Sequence, residues 1–304
     1  MEEMVEIRWH GRGGQGVILA SEIMADAALL EGMFFQALPE FGAERSGAPI
    51  RAYTRLSSRP IQVHYAVTEP DVVVVLDPTL IAAGDLTQGL KPGGLILINS
   101  PESPEKVRAR LGSSAGSLFT VDASAIAKRA IGRNIPNVPI LGALLAAIPL
   151  ISVANLTDAV ERRMRGRIRE EVIQGNLSAL TEGAKQLRQE ELAHRNGHLA
   201  QKQTAPAPNP ESWRGLTPGA VILNPGNSVE YETGVWRSER PIIDWSRCSH
   251  CLLCWIYCPD SCFHVEQQRL ASVDYAHCKG CGICVVQCPT KCIEMAPELT
   301  FQEG

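Results

Sequence analysis

The chain has 304 residues, of which 45% are hydrophobic and 20% are charged, and its formal net charge is −4 at pH 7. This composition is typical of a folded protein with two domains or one large one, and the acidic balance gives no reason to expect nucleic-acid binding. The first residues, MEEMVEIRWH, are acidic and lack a long apolar core, so they do not resemble a secretory signal, and we predict a cytoplasmic protein.

The chain opens with a predicted strand, a glycine-rich turn and a helix. Apolar and polar side chains alternate in VEIRWH (5–10), which is the period of a strand. GRGGQG (11–16) interrupts this pattern. VILASEIMADAALLEG (17–32) follows, with apolar residues at helical spacing and a glycine at its end.

Five further segments predict strands. IRAYTRLS (50–57) and IQVHYAV (61–67) look like two strands joined by a short turn. DVVVVLD (71–77) and GGLILINS (93–100) are continuous apolar runs between breaking residues, which suit strands buried on both faces of a parallel sheet. LFTVDAS (118–124) is another candidate. Together these elements predict an α/β, Rossmann-like sheet domain.

The stretch 134–157 carries no charge and is long enough to span a bilayer. Pro136, Pro139 and Pro149 interrupt it, and such breaks leave backbone groups unpaired in lipid. We therefore predict a buried helix and no membrane segment.

From residue 158 the sequence becomes charged and typical of helices. Its arginine-rich part, from Arg162 to Arg169, is interpreted as a solvated helix face; a docking surface for a partner subunit is the alternative. A Pro-, Gly- and Ser-rich stretch then predicts a linker. The predicted domains are 1–200 (the α/β domain with its charged helices), 201–239 (the linker) and 240–304 (a small α+β domain).

All ten cysteines lie in the last predicted domain. They form two runs of the pattern C-x-x-C-x-x-C-x-x-x-C-P, which is typical of two-cluster ferredoxins, in which the fourth cysteine of each run binds the other cluster. We assign one 4Fe–4S cluster to Cys248, Cys251, Cys254 and Cys288, and a second to Cys278, Cys281, Cys284 and Cys258.

Two alternatives for the cysteines are disfavoured. Zinc sites do not need a third cysteine at a further two-residue gap, and disulfides need oxidising surroundings. Two cubanes use eight ligands, so Cys262 and Cys292 are left over and are interpreted as small buried apolar residues, with a spare or redox-active thiol as the alternative. Nearby aromatic residues, Trp245, Trp255 and Tyr257 among them, are expected to shield the clusters from water.

Gly11, Gly13 and Gly16 have the G-x-G-x-x-G register of dinucleotide-binding turns, between a strand and a helix. The ribose-binding acid is missing from its usual place at the end of the second strand. Glu31 falls at the end of the first helix, and Glu40 follows a proline in a segment with no clear strand. A tight turn is therefore favoured over nicotinamide or flavin binding.

Several motifs together resemble one family. EIRWHGRGGQGVILASEIMA, FGAERSGAPIRAYTRLSSRPI and EPDVVVVLDPTL resemble the gamma subunit of 2-oxoacid:ferredoxin oxidoreductases, especially the pyruvate:ferredoxin oxidoreductase (pyruvate synthase) branch. ETGVWRSERPIID and both cysteine runs resemble the delta subunit. The chain thus looks like a fused gamma–delta subunit, with oxalate oxidoreductase as a close relative.

The resemblance implies an electron-transfer subunit of an anaerobic, thiamine diphosphate-dependent oxidoreductase. Alpha- and beta-type catalytic subunits would hold the thiamine diphosphate, Mg and a further 4Fe–4S cluster. Electrons from oxidative decarboxylation of a 2-oxoacid, pyruvate first and oxalate next, would pass through this chain to ferredoxin. The resemblance also allows a dimer of the whole assembly. No catalytic residue is expected in this chain, because no thiamine-binding motif is present.

The resemblance also singles out four polar positions of the gamma motifs: Arg12, Gln15, Glu44 and Arg45. A ligand or interface contact is one interpretation, and a structural salt-bridge role is the favoured one. Many family members have two glycines after the arginine of the second motif, whereas this chain has Ser46 and Gly47, which bears on the shape of that loop.

Two other functions stay open at this point. One is a self-contained flavin or NAD reductase with a ferredoxin-like tail, for which flavin absorbance would be diagnostic. The other is a structural adaptor whose clusters only hold the fold, for which clusters resistant to reduction by dithionite would be diagnostic.

Overall fold

A mixed seven-stranded sheet organises the first part of the molecule. The computed structural model describes residues 4–40, 47–84, 86–189 and 226–301. The strands are β1 (Met4–Arg12), β2 (Phe34–Glu40), β3 (Pro49–Ser57), β4 (Val72–Val75), β5 (Leu95–Asn99), β6 (Ser117–Val121) and β7 (Arg188–Gln189), in the spatial order β2-β3-β1-β4-β5-β6-β7. Strands β1, β4, β5 and β6 run parallel, while β2, β3 and β7 pair antiparallel to their neighbours.

The predicted α/β sheet domain is confirmed, with one error in its strands. Segment 61–67 is not a strand, and β2 pairs with β3 instead. Strand β2 was not predicted because Pro39 is a strand-breaking signal. However, β2 is at the edge of the sheet, where a proline can point its missing N–H toward the side that has no neighbouring strand. The segment at 61–67 runs beside this edge, and the Val63 carbonyl accepts a hydrogen bond from Gln36 Nε2 at 2.8 Å.

Helices cover both faces of the central strands. They are α1 (Val17–Leu30), α2 (Pro104–Leu111), α3 (Ala123–Ile131), α4 (Asn137–Ala147), α5 (Val153–Met164) and α6 (Glu170–Lys185). Val72 and Val74 belong to a large core with residues of α1, α4, α5 and α6. Val73 and Val75 point the other way, into a smaller core with Val107 of α2. This explains why the strand sequence is continuously apolar, as predicted.

The uncharged stretch at 134–157 forms α4 and the start of α5, with Pro149 in the break between them. Helix α4 is buried from Asn137 to Leu145. No helix in the described ranges is long and apolar enough to cross a bilayer.

Helices α4 and α6 approach closely because glycines face the other helix. A Cβ atom at Gly142 would lie 1.9 Å from the Leu180 carbonyl oxygen, and one at Gly183 would lie 2.0 Å from the Pro139 carbonyl oxygen. Both oxygens are backbone atoms, so a methyl group at either position forces the helices apart.

Replacing Gly183 by Ala is therefore expected to destabilise the protein. Overpacking of this kind costs about 3 kcal/mol in the free energy of unfolding. Urea denaturation followed by circular dichroism would measure the loss. The control is Ser178→Ala, on the exposed side of the same helix, which is expected to leave stability near that of the wild type. Equal stability of the two variants would show that the helices do not approach as described.

The second part of the molecule is a small α+β fold with an internal repeat. Its elements are β8 (Glu239–Ile243), α7 (Leu253–Ile256), β9 (Phe263–Glu266), β10 (Arg269–Val273), α8 (Ile283–Gln287) and β11 (Ile293–Pro297). Strand β8 pairs with β11, and β9 pairs with β10. Each half is thus a β-α-β unit whose strands pair only with strands of the other half, so the two halves depend on each other.

The sheet domain and the small fold belong to one compact unit, which contains residues 4–189 and 233–301 of the described chain. The predicted linker, 201–239, falls largely outside the described residues. Strand β8 begins at Glu239, close to the predicted boundary at 240.

Candidate metal centre

The two cysteine loops have the same backbone shape. Positive φ angles occur at equivalent positions of the two runs: His250 and Gly280 (52° and 69°), Leu252 and Gly282 (62° and 73°), and Ser261 and Lys291 (53° and 48°). This left-handed conformation is unfavourable for residues with a Cβ atom. The chain adopts it at four such residues, which indicates that the loop shape is required.

Two recesses in the small fold are lined by cysteines. One is lined by Cys278, Cys281 and Cys284 of the later run, together with Cys258 and Cys262 of the earlier one. The other is lined by Cys248, Cys251 and Cys254, together with Cys288 and Cys292. We call these the later and the earlier recess. Each recess therefore draws cysteines from both runs.

Each recess offers several thiols from two separate loops, and thiolates are the ligands of iron–sulfur clusters. A zinc site, for comparison, holds its sulfur ligands about 2.3 Å from one ion in a tetrahedron. Among the described residues, no group of three or more His, Cys, Asp or Glu side chains is arranged around one ion position.

Burial makes two of the thiols in these recesses, Cys254 and Cys284, hard to ionise. Desolvation, with smaller contributions from Cys278 and Cys281, raises the pKa of Cys284 to about 12. Desolvation likewise raises the pKa of Cys254 to about 11. Since the thiolate is the ligand form, these positions need a bound cationic centre to hold the negative charge. The chemistry of the donor set thus fits bound iron.

Backbone amides hydrogen-bond the two cysteines that precede prolines. The N–H of Cys262 donates to Cys258 Sγ at 3.3 Å, and the N–H of Cys292 donates to Cys288 Sγ at 3.4 Å. Cys262 and Cys292 are themselves 2% and 3% exposed, so both leftover cysteines are buried, as expected. Each also supplies the backbone amide that contacts a cysteine sulfur.

Replacing Cys292 by Ala is expected to leave the iron content unchanged, because Ala keeps the backbone N–H that contacts Cys288 Sγ. Iron and acid-labile sulfide assays on anaerobically purified protein would measure this. The matched variant is Cys288→Ser, four positions earlier, which is expected to lose iron. If Cys292→Ala loses iron and Cys288→Ser does not, Cys292 is the ligand.

The expected aromatic shield is only partly present. Phe263 is buried beside the cysteines. Trp245, Trp255 and Tyr257 are 46%, 46% and 51% exposed, so these three side chains do not exclude water from the recesses. These three side chains lie on the surface instead, and the sequence around the cysteines did not predict that they would be exposed.

The glycine turn of the sheet domain is closed by its own side chains. Gln15 Oε1 accepts a hydrogen bond from the Arg12 N–H at 2.9 Å, and Gln15 Nε2 donates to Asp77 Oδ2 at 2.6 Å. A Cβ atom at Gly11 would lie 2.4 Å from Val17 Cγ2, and one at Gly16 would lie 2.5 Å from Asn137 Nδ2. These glycines allow close packing within the domain.

The Arg12 side chain is buried, and it forms one ion pair and several hydrogen bonds. It lies 3.3 Å from Asp77 and donates to Thr79 Oγ1, to the Gly47 carbonyl at 3.2 Å and to the Val235 carbonyl. Val235 precedes the small fold, so Arg12 connects the glycine turn to that segment. This contact pattern supports the structural role for Arg12 and Gln15. Glu44 and Arg45 lie outside the described residues.

The strand order argues against dinucleotide binding. Strand β3 lies between β2 and β1, and Arg51 of β3 stands between Glu40 and His10, so Glu40 is not on a strand next to the glycine turn. Glu40 accepts a hydrogen bond from the Tyr53 hydroxyl at 2.7 Å. Glu31 caps the end of α1 and accepts a hydrogen bond from the Ser152 N–H. Neither acid is placed to bind a ribose at the turn.

Comparison with known proteins identifies the family of the sheet domain and supports a 4Fe–4S site in the small fold. Residues 6–186 match the family model described as pyruvate ferredoxin/flavodoxin oxidoreductase, and residues 271–294 match a 4Fe-4S binding domain. The chain is 45% identical over 167 residues to the pyruvate/ketoisovalerate oxidoreductases common subunit gamma of Thermococcus kodakarensis, which covers 55% of this chain and 90% of that protein.

Two further likenesses are to proteins of Thermotoga maritima. Pyruvate synthase subunit PorC is 42% identical over 183 residues, covering 60% of this chain and 94% of that protein. A crystal structure of pyruvate oxidoreductase subunit PORC superposes with a TM-score of 0.56 at 39% identity and covers 62% of this chain and 100% of that one. These relatives are subunits of an oxidoreductase complex, and all three matches leave the rest of this chain uncovered.

The family match spans more than half of the chain and coincides with the sheet domain, while the 4Fe-4S match falls on the later cysteine run. The chain therefore belongs to the pyruvate ferredoxin/flavodoxin oxidoreductase family, as a gamma-type subunit with a ferredoxin-like tail.

Proposed function

We propose that this chain is the electron-transfer subunit of a 2-oxoacid:ferredoxin oxidoreductase and holds two 4Fe–4S clusters. The earlier recess holds one cluster through Cys248, Cys251, Cys254 and Cys288, and the later recess holds the other through Cys278, Cys281, Cys284 and Cys258. When bound, each cluster supplies a one-electron redox centre. The chain's own residues contribute the ligands, the amide hydrogen bonds and a fold that keeps both sites together.

The single observation that carries this proposal is the composition of the two recesses. Each is lined by three cysteines of one run, by the cysteine before proline of the other run, and by the leftover cysteine four positions after it. A fold that only needed zinc or buried thiols for stability has no reason to exchange cysteines between halves. The exchange instead matches the ligand pattern of paired iron–sulfur clusters.

We assign the thiamine-dependent catalytic step to partner subunits. The relatives are named as subunits of pyruvate or pyruvate/ketoisovalerate enzymes. We propose that alpha- and beta-type subunits hold thiamine diphosphate, Mg and a third cluster, that the substrate is pyruvate with oxalate as the next candidate, and that ferredoxin accepts the electrons.

The first experiment uses the chain itself. Protein purified without oxygen is expected to contain about eight irons per chain, the content of two 4Fe–4S clusters, and to give a low-potential paramagnetic signal after reduction with dithionite. Zinc in place of iron, or clusters that dithionite does not reduce, would contradict the proposal. Bound flavin would support the reductase alternative.

The second experiment uses the complex with its partner subunits. It should reduce a viologen dye with pyruvate plus coenzyme A, and oxalate alone is the comparison. Removing the clusters of this chain by substituting cysteines should abolish transfer to ferredoxin while partner subunits still bind substrate. Transfer that persists without these clusters would show that electrons leave by another route.

A further inference from the structure

Two arginines share one carboxylate beneath the later cysteine loop. Glu298 accepts hydrogen bonds from Arg237 Nε at 2.7 Å and Nη2 at 2.9 Å. It also accepts from Arg240 Nε at 2.8 Å, and Arg240 Nη2 contacts its other oxygen. Arg237 Nη1 donates to the Cys278 carbonyl at 3.0 Å and also to that of Tyr275. We call Arg237, Arg240 and Glu298 the arginine cluster.

Arg237 and Glu298 are buried, Arg240 is partly buried, and the arginine cluster carries an excess positive charge. The side chains of Arg237, Arg240 and Glu298 are 7%, 17% and 8% exposed. Guanidinium groups stay protonated in proteins, and the two arginines lower the pKa of Glu298 against the opposing effect of its burial. Two cations and one anion leave a net charge of +1 in surroundings where screening by solvent is weak.

The charges around the two recesses differ. Lys279 and Asp260 line the later recess, but they form an ion pair at 3.1 Å and cancel each other. Arg12 lies close to the arginine cluster but is paired with Asp77. At the earlier recess, Arg247 contacts the loop through the Thr290 carbonyl at 3.0 Å, and both Arg247 and Lys291, which follows Thr290, are exposed. A buried charge acts more strongly than an exposed one.

We propose that the arginine cluster raises the reduction potential of the later cluster relative to the earlier one, which makes the later cluster the first of the two to be reduced. Reduction adds one electron to a cluster that is already anionic with its thiolates, and a buried positive charge stabilises the added electron. The arginine cluster acts through the electric field and through the Cys278 loop and does not bind iron. This inference rests on the proposed cluster sites.

The test is a pair of variants of opposite charge. Glu298→Gln removes the anion and should raise the potential of the later cluster, whereas Arg240→Gln removes a cation and should lower it. We expect each to change the reduction equilibrium about tenfold, which is about 59 mV for one electron. Potentiometric titration of the full chain, followed by electron paramagnetic resonance, would measure both clusters. Cys258→Ser identifies which signal belongs to the later cluster.

Two matched variants serve as controls. Arg240→Lys keeps the charge and should keep the potential near the wild-type value. Arg247→Gln removes an exposed cation at the earlier recess and should shift the earlier signal by much less than Arg240→Gln shifts the later one. If the role of the arginine cluster is purely structural, the variants should broaden or weaken the paramagnetic signal of the later cluster. They should not shift its reduction potential in opposite directions.

The outcomes separate this inference from the proposed function. The inference alone would be overturned if both clusters are present but the potential of the later one does not change in Glu298→Gln and Arg240→Gln. It would also be overturned if both variants shift that potential in the same direction. A wild-type chain without two reducible clusters would overturn the proposed function first. If the wild-type later cluster has the lower potential, the order of reduction proposed here is wrong.

Discussion

Replacing Cys258 by Ser is expected to remove the cluster of the later cysteine run while the cluster of the earlier run is retained. Cys258 belongs to the earlier run in sequence, but it lines the recess of Cys278, Cys281 and Cys284. Iron content should fall by about half, since one of two clusters of equal size is lost. Iron assays would measure this, and electron paramagnetic resonance would show one signal missing.

The mirror variant is Cys288→Ser, which should remove the earlier cluster instead, because Cys288 lines the recess of Cys248, Cys251 and Cys254. The two variants should therefore lose different signals. If Cys258→Ser loses the same signal as Cys248→Ser, each run serves its own cluster and the crossed ligand assignment is wrong. Loss of both clusters in either variant would show that the two halves fold only when both sites are filled.

Replacing Arg12 by Met is expected to destabilise the protein by about 3 kcal/mol or more, because removing one partner of a buried ion pair leaves the other charge uncompensated. The Arg12 and Asp77 side chains are 4% and 3% exposed. Asp77 keeps its hydrogen bonds with Gln15 and Thr79, but loses its cation. Anaerobic urea denaturation followed by circular dichroism would measure the change in the free energy of unfolding.

The control for Arg12→Met is Arg162→Met. Arg162 also pairs with an aspartate, Asp158, but the pair is on the surface of α5, and its arginine is 64% exposed. Exposed pairs contribute little, so this variant should unfold like the wild type. If Arg12→Met does the same, Asp77 is satisfied without the arginine, and the glycine turn does not depend on this contact.

Features with a strong local pattern were predictable from the sequence. The apolar run at 71–77 specifies a strand buried on both faces, and the described structure has β4 there with its valines in two cores. The spacing of the cysteines also indicated which cysteine of each run lies with the other run, and Cys258 and Cys288 line the recesses in this way. Both are short-range patterns, in which a few neighbouring positions carry the information.

Contacts between distant residues were not predictable in this way. Strand β2 was missed because Pro39 is a breaking signal except at a sheet edge, and the position of β2 at the edge depends on the whole topology. The partners of Arg12 lie at Asp77, Thr79 and Val235, and Arg237 meets Glu298 much later in the chain. Asp77 comes two residues after β4, which pairs with the strand that leads into the glycine turn, and that placement was the available signal.

The exchange of cysteines between the two halves has a consequence for biosynthesis. With the ligands crossed as proposed, the ribosome releases Cys248, Cys251 and Cys254 well before Cys288, so the earlier site waits with three thiols. The later site also stays incomplete until Cys284 has been made. A nascent chain that stops between the two runs therefore lacks the full ligand set of either site, and premature termination there would leave both proposed clusters short of protein ligands.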